Sequence, residues 1–319
     1  MTKTLSAVIP VFNEEESLAP FARELTAALG ALGLPYEVIW VDDGSTDASF
    51  SRLKELVAAD EHQKALRLSR NCGQTAALAA GIAEADGKWI VTLDADGQND
   101  PADIAALLAR ARSGCDVVSG WRRNRRDPFF SRVLPSRAAN AVISAVTGVN
   151  LHDFGCTLKI YRASLLKNVD LYGEMHRFLP ALLNYAGASI AELEVGHRPR
   201  GAGSSKYGIA RTFKVLLDLL TVKFMGDFIT KPIYLFGGIS LVLLAAAGTM
   251  AAYTLYNKFF NHIFVKDQPL FLVAILFSIV AVQFAFMGLM TEVLIRTYHS
   301  ANRKPPYTVA QRIGGGSGL

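Results

Sequence analysis

The sequence predicts an α/β domain built on a mostly parallel sheet, followed by an interfacial amphipathic helix and a two-helix transmembrane hairpin. Three observations carry this. Short β-branched runs alternate with helix-length segments through residues 1–206, apolar and basic residues recur at helical spacing from Tyr207 to Phe228, and two long stretches near the end hold no charged side chain.

In chain order, strands are expected at Thr4–Pro10, Tyr36–Val41, Ala65–Ser69, Trp89–Leu93 and Val117–Ser119. Their near-continuous apolar character implies a sheet covered on both faces. Asp47 can cap the helix after the second strand, and Pro101 suits the first turn of the helix after the fourth. Ligands of such sheets bind beyond the carboxyl ends of the strands, which is where the polar residues of this chain collect. From Tyr207, the apolar positions Ile209, Phe213, Leu216, Leu217, Leu220 and Phe224 oppose Arg211, Lys214, Asp218 and Lys223. That pattern fits a helix lying in a membrane interface or one packed on the soluble core.

The spans are expected at residues 233–256 and 270–291, each long enough for about 36 Å of helix. Tyr234, Tyr253 and Tyr256 stand near the ends of the first, where amphipathic rings prefer the headgroup level. Arg211, Lys214, Lys223 and Lys231 precede the hairpin, Arg296, Arg303, Lys304 and Arg312 follow it, and the turn holds only Lys258 and Lys266. The positive-inside rule then puts both termini in the cytoplasm of an inner membrane. The expected parts are a cytoplasmic domain over 1–206, the interfacial helix over 207–230, the hairpin over 231–292 and a cytoplasmic tail over 293–319. Gly314–Gly318 is expected to be disordered, and no signal peptide is expected before Glu14, Glu15 and Glu16.

Composition excludes several classes. With 51% hydrophobic and 19% charged residues in 319, the chain is neither disordered nor fibrous, and Cys72, Cys115 and Cys156 are too few for a disulfide scaffold. An odd number of cysteines fits reduced thiols in the cytoplasm. The net charge of +5 is uneven: residues 1–197 hold 20 basic against 24 acidic residues, and the excess sits beside the expected membrane. A nucleic-acid partner is excluded on that distribution.

The first strand ends in Pro10-Val11-Phe12-Asn13-Glu14, the second in Asp42-Asp43-Gly44-Ser45-Thr46-Asp47, and the fourth in Asp94-Ala95-Asp96-Gly97-Gln98. Carboxylates converging on one sheet edge repel each other unless a cation or donors balance them. Asp94 and Asp96, two apart, would point to one side of an extended segment, with Gln98 continuing the register. Alone, such a pair is either a polar turn or a site for Mg²⁺ or Mn²⁺, which favour oxygen ligands. Arg122, Arg123, Arg125, Arg126, Arg132 and Arg137 follow the fifth strand, and Arg198, Arg200 and Lys206 precede the amphipathic helix. A metal loop with arginine groups suits a diphosphate donor and an anionic acceptor. Gly81–Lys88 lacks the spacing of a phosphate-binding loop, Gly201-Ala202-Gly203 lacks a third glycine, and Cys156 beside His152 reads as a structural thiol.

These motifs, with Ser69-Arg70-Asn71-Cys72-Gly73-Gln74, resemble those of family 2 glycosyltransferases of GT-A (nucleotide-diphospho-sugar transferase) fold. His152-Asp153-Phe154-Gly155-Cys156, Gly173-Glu174-Met175-His176-Arg177-Phe178 and Gly203-Ser204-Ser205-Lys206-Tyr207-Gly208, followed by the hairpin, resemble the polyprenyl-phosphate glycosyltransferases, especially the bactoprenol glucosyltransferase branch. The resemblance implies inverting transfer of a hexose, with UDP-glucose as the expected donor, to undecaprenyl (polyprenyl) phosphate. The product would be a lipid-linked sugar for cell-surface glycan modification, as in lipopolysaccharide or O-antigen. Mannosyl-type and aminoarabinosyl-type transfer are the alternatives. By the same resemblance Pro10, Phe12, Glu14, Asp42 and Asp43 belong to nucleotide binding, and Asp94, Asp96 and Gln98 hold the metal on the donor diphosphate. Arg122 and Arg137 meet the acceptor phosphate, Arg200, Ser205 and Lys206 close over the donor, and the assembly is a homotetramer. The family's metal motif usually has leucine where this chain has Gly97, so a looser loop is expected there. Asp153 is expected either as a general base or as the residue that orients an arginine. A processive polysaccharide synthase is disfavoured by the absence of a Gln-x-x-Arg-Trp motif and of further spans. A membrane-anchored non-catalytic scaffold or flippase partner is the reading of another class.

Overall fold

A computed structural model describes residues 3–123, 134–171, 173, 175–198, 219, 221–224, 232–300 and 307–314. In chain order the elements are β1 (Leu5–Val11), α1 (Leu18–Ala31), β2 (Tyr36–Asp42), α2 (Ser49–Ala59), β3 (Gln63–Leu68), α3 (Gln74–Glu84) and β4 (Trp89–Thr92). Next come α4 (Ile104–Arg112), β5 (Val117–Trp121), α5 (Leu134–Thr147), β6 (Lys159–Arg162), α6 (Ala163–Leu166), α7 (Leu179–Tyr185) and β7 (Ile190–Glu194). Two long helices, α8 (Pro232–Phe260) and α9 (Pro269–Ser300), precede β8 (Val309–Ile313). The chain divides into two compact units, one of Met1–Val222 with Pro305–Leu319, the other of Lys223–Lys304.

The first unit is one eight-stranded sheet in the order β7-β5-β6-β4-β1-β2-β3-β8. β4, β1, β2 and β3 run parallel, as does the β5–β7 pair, while β6 enters antiparallel between β4 and β5. The five expected strands are all present within two residues of their expected ends. Leu5, Ile9, Val38, Trp40, Val91 and Val118 are fully buried in the core beneath α1, α2 and α4. At the amino-terminal ends of the parallel strands, away from the acidic loops, Glu37 is buried and accepts from the Ser6 hydroxyl at 2.5 Å and the Asp86 backbone at 2.7 Å. Lys64 pairs with it at 2.9 Å, so this buried charge is both paired and hydrogen-bonded. The helix after β2 starts one residue late, at Ser49, whose N–H is still met by Asp47 Oδ1 at 3.0 Å.

The tail differs from expectation. The second long helix continues to Ser300, and Val309–Ile313 then joins the sheet antiparallel to β3, so this part is an edge strand rather than a separate tail. Of the glycine run, Gly314 has φ +78°, and a Cβ there would come within 2.7 Å of Gln63 O; the rest lies outside the described residues. The expected interfacial helix over 207–230 also lies largely outside them, with only Leu219 and residues 221–224 described as helical.

The second unit is a helical hairpin. Its helices hold apolar windows of mean hydropathy 1.9 and 2.6. Leu241, Val242, Leu272, Phe286 and Met290 are among many large apolar side chains exposed on it, which a core helix of a soluble protein would not show. The small residues Ala247, Ala274 and Ala281 are buried between the helices, the close approach expected where lipid replaces water. At the turn, Gln268 donates to Thr254 O at 3.3 Å and to Ile263 O at 3.1 Å, which ties the connecting loop to the first of the two helices.

Candidate active site

The loops after β1 and β2 are laced together. Asn13, at φ 54°, donates its N–H to Ser45 Oγ at 3.0 Å and accepts from Thr46 N at 2.9 Å, and Glu14 N donates to Ser49 Oγ at 2.8 Å. Pro10, Phe12 and Glu14 are thereby fixed beside Asp42. Asp42 is fully buried, and burial raises its carboxyl above the usual range. Its Oδ1 accepts from Ser45 N at 3.2 Å, while Oδ2 lies 3.3 Å from Arg67 Nε and takes no hydrogen bond. A buried acceptor in that state is costly and suits a ligand donor.

Asp43 has a different task. Its two oxygens accept from Cys72 N at 2.7 Å and Gly73 N at 2.9 Å, so it fastens the loop after β3. Gly44 adopts φ +70°, and a Cβ on it would meet Arg70 C at 2.6 Å, so the turn admits no side chain.

The β4 loop is a tight turn, not the extended segment expected from the spacing of Asp94, Asp96 and Gln98. Gln98 N folds back onto Asp96 Oδ1 at 3.1 Å, and Gly97 sits at φ +70°. Glycine at this position therefore makes the turn rather than loosening it, because a leucine there would be strained. Asp94 accepts from Gln74 Nε2 at 2.7 Å, at the start of α3. Burial, then the Asp96 charge, pushes the Asp94 carboxyl up to about 6, against the opposing pull of Arg122 and Lys159.

These observations fit a hard divalent cation. The Asp96 charge raises the proton affinity of Asp94, a repulsion that a dication would relieve, and Gln98 adds a neutral oxygen. Among the described residues no group of three or more His, Cys, Asp or Glu could hold a metal, so the rest of a coordination shell would come from water and substrate oxygens. Mn²⁺ affinity is expected to weaken below about pH 6, by about tenfold per pH unit if each ion displaces one proton from Asp94. Calorimetric Mn²⁺ titrations on either side of pH 6 check this, and equal affinities would exclude Asp94 as a ligand. Between the ordinary carboxyl value and 6 the folded, metal-free protein holds a proton that the unfolded chain has lost. Its stability therefore rises as pH falls through that window.

Arg122, just beyond β5, forms a two-pronged pair with Asp153, Nε to Oδ2 at 2.7 Å and Nη2 to Oδ1 at 3.0 Å. Burial works against the guanidinium charge, but Asp153 outweighs it and raises the Arg122 pKa. Gly155 N also donates to Asp153 Oδ1 at 3.1 Å. This carboxylate is thus engaged in holding the arginine. Lys159, buried on β6, donates to Phe154 O at 3.1 Å and to Cys156 O, and burial lowers its pKa. Cys156 is buried with Sγ 3.8 Å from Asn99 Oδ1, a structural thiol as expected.

The structure therefore brings together Pro10, Phe12, Glu14 and Asp42 around one end of the site, and Asp94, Asp96 and Gln98 in one turn whose charge Arg122 feels. The side chain of Arg137, and Arg125, Arg126, Arg132, Arg200, Ser205 and Lys206, lie outside the described residues. Gln74, Arg67, Lys159 and the Thr75–His176 contact of 2.7 Å went unassigned in the sequence. Gln74 and His176 carried a signal, since each stands in a motif of the family resemblance.

Comparison with known proteins places the chain in a family. A family model described as glycosyl transferase family 2 matches residues 6–170. The dodecaprenyl-phosphate galacturonate synthase of Rhizobium johnstonii is 42% identical over 311 residues, 96% of this chain and 92% of that protein. The undecaprenyl-phosphate 4-deoxy-4-formamido-L-arabinose transferase of Proteus mirabilis is 37% identical over 312 residues, 97% of this chain and 94% of its own. Among solved structures, glucosyl-3-phosphoglycerate synthase from Mycobacterium tuberculosis with Mn²⁺ and uridine-diphosphate-glucose superposes with a TM-score of 0.52 at 17% identity. The match covers 70% of this chain and 79% of that one, and it shows a shared GT-A fold.

Proposed function

The chain belongs to glycosyl transferase family 2, and on that premise we propose that it transfers a sugar from a nucleotide sugar to polyprenyl phosphate at the cytoplasmic leaflet of the inner membrane. The observation that carries this is likeness along nearly the whole chain, hairpin included, to proteins named for polyprenyl-phosphate sugar transfer. For the sugar, the named relatives use galacturonate and 4-deoxy-4-formamido-L-arabinose and lend no support to glucose. The proposed donor is UDP-galacturonate, with the formamido-arabinose donor second.

In this reading Pro10, Phe12, Glu14 and Asp42 hold the nucleoside, with the unsatisfied Asp42 oxygen accepting from it. Asp43 acts through the loop it fastens. Asp94, Asp96 and Gln98 would hold Mg²⁺ or Mn²⁺, which supplies charge neutralisation to the leaving diphosphate. Arg122, aided by Arg137, orients the acceptor phosphate, whose own oxygen attacks the anomeric carbon and inverts it. A phosphate monoester is already anionic near neutrality, so positioning and charge account for most of the acceleration and no strong base is needed. Asp153 serves as the support of Arg122. Arg200, Ser205 and Lys206 close over the donor, the 207–230 segment rests in the interface, and the assembly is a homotetramer.

The placement of both termini in the cytoplasm is supported by the basic flanks and by chain connectivity. Two spans joined as a hairpin return the chain to the side of the bilayer from which it entered. Incubating membranes with undecaprenyl phosphate and labelled UDP-galacturonate, UDP-formamido-arabinose or UDP-glucose tests the reading. Label is expected in a lipid-linked monosaccharide with the first of these. A long polymer, or no lipid product with any donor, overturns it.

A further inference from the structure

Beyond the residues matched by the family model stands a carboxylate that reaches the site through two backbone amides and one imidazole. Glu192 lies on β7, paired in register with Ser119 of β5, and its side chain is 12% exposed. Its Oε1 accepts from two successive backbone amides, His152 N at 2.8 Å and Asp153 N at 3.2 Å. Its Oε2 lies 2.7 Å from His152 Nδ1, and that imidazole is stacked on Trp121 with ring centroids 4.3 Å apart at 18°. Trp121 is the last residue of β5, and Arg122 follows it directly. One carboxylate thus binds the turn that carries Asp153 and, through the His152 ring, the strand end that carries Arg122.

From this geometry we propose that Glu192 is a positioning residue for the acceptor-phosphate arginine. It fixes the main chain at His152-Asp153 so that the Asp153 carboxylate meets the Arg122 guanidinium in its two-pronged form. A fork held at both prongs presents its remaining N–H groups in one direction, and an angular error there is felt directly by a tetrahedral phosphate. Glu192 itself touches neither substrate. The proposal rests on the reading that Arg122 meets the acceptor phosphate.

The test uses the full-length protein in lipid nanodiscs, with undecaprenyl phosphate as one probe and UDP with Mn²⁺ as the other. Glu192→Ala removes the acceptor for both amides and is expected to weaken undecaprenyl phosphate binding about tenfold, with UDP binding unchanged. Glu192→Gln keeps an oxygen for the two amides and should restore most of that affinity. Unchanged lipid binding in Glu192→Ala, equal loss of UDP binding, or a Glu192→Gln variant as weak as the alanine one overturns the proposal. Arg122→Gln separates the two readings. If it binds undecaprenyl phosphate normally, the assignment of Arg122 fails; if it binds weakly while Glu192→Ala binds normally, only the role of Glu192 fails. Adding Glu192→Ala to Arg122→Gln should cost nothing further if Glu192 acts through the arginine.

Discussion

Asp96→Asn is expected to lower sugar transfer by about a thousandfold while leaving folding and membrane insertion intact, the scale on which a preorganised electrostatic group contributes to a charged transition state. The substitution keeps the size of the side chain and an oxygen that can accept from Gln98 N, so the turn with Gly97 at φ +70° survives. What it removes is half the negative charge available to a cation. Asp94 should respond in a measurable way. With the Asp96 charge gone, one of the two causes that raise it disappears, and its titration moves down towards the ordinary carboxyl range. The metal-free variant should therefore melt no lower than the wild type, and Mn²⁺ is expected to raise the melting temperature of the parent but not of the variant. Turnover within tenfold of wild type in the presence of Mn²⁺ would remove Asp96 from the metal assignment.

Arg122→Ala is expected to be damaging in two separable ways. The Asp153 side chain is only 3% exposed, and deleting its partner leaves a buried carboxylate without its counter-ion, at a cost of about 3 kcal/mol in stability. Transfer should fall as well if, as proposed, Arg122 is the fork that orients the acceptor phosphate. Pairing Arg122→Leu with Asp153→Asn separates the effects, since both buried charges are then absent. Thermal melts of the double variant should return close to the parent, whereas sugar transfer should stay abolished. If transfer returns with stability, the pair is structural and the acceptor is held elsewhere.

Much of the site could be read from the sequence because parallel strands buried on both faces leave a strong apolar signature, and polar residues that interrupt it fall at the strand ends. Leu5–Val11, Tyr36–Asp42 and Trp89–Thr92 follow that rule, and so do the acidic residues after them. β6 broke the rule. It is four residues long and starts with Lys159, a cation that becomes tolerable inside only because the carbonyls of Phe154 and Cys156 accept from it. β7 and β8 are short strands at the two sheet edges, partly exposed and carrying Glu192, Glu194, Gln311 and Arg312, so neither has a core-strand pattern. Adjacent carboxylates also could not be told apart. Asp42 and Asp43 read alike as letters, but the alternation of a strand end sends one towards Arg67 and the other to the amides of Cys72 and Gly73. Glu192 was illegible because it acts on main-chain amides, which every residue possesses.

The last strand has a consequence for biosynthesis. β3 pairs with β2 on one side and with β8 on the other, but β8 is translated only after both long helices have been synthesised. Until then β3 is an open edge, with backbone groups free to pair with a neighbouring nascent chain. Completion of the sheet therefore waits for synthesis of the whole hairpin. A chain stalled before residue 309 carries its acidic loops but not its finished edge, which makes it a target for quality control as well as an unfinished enzyme.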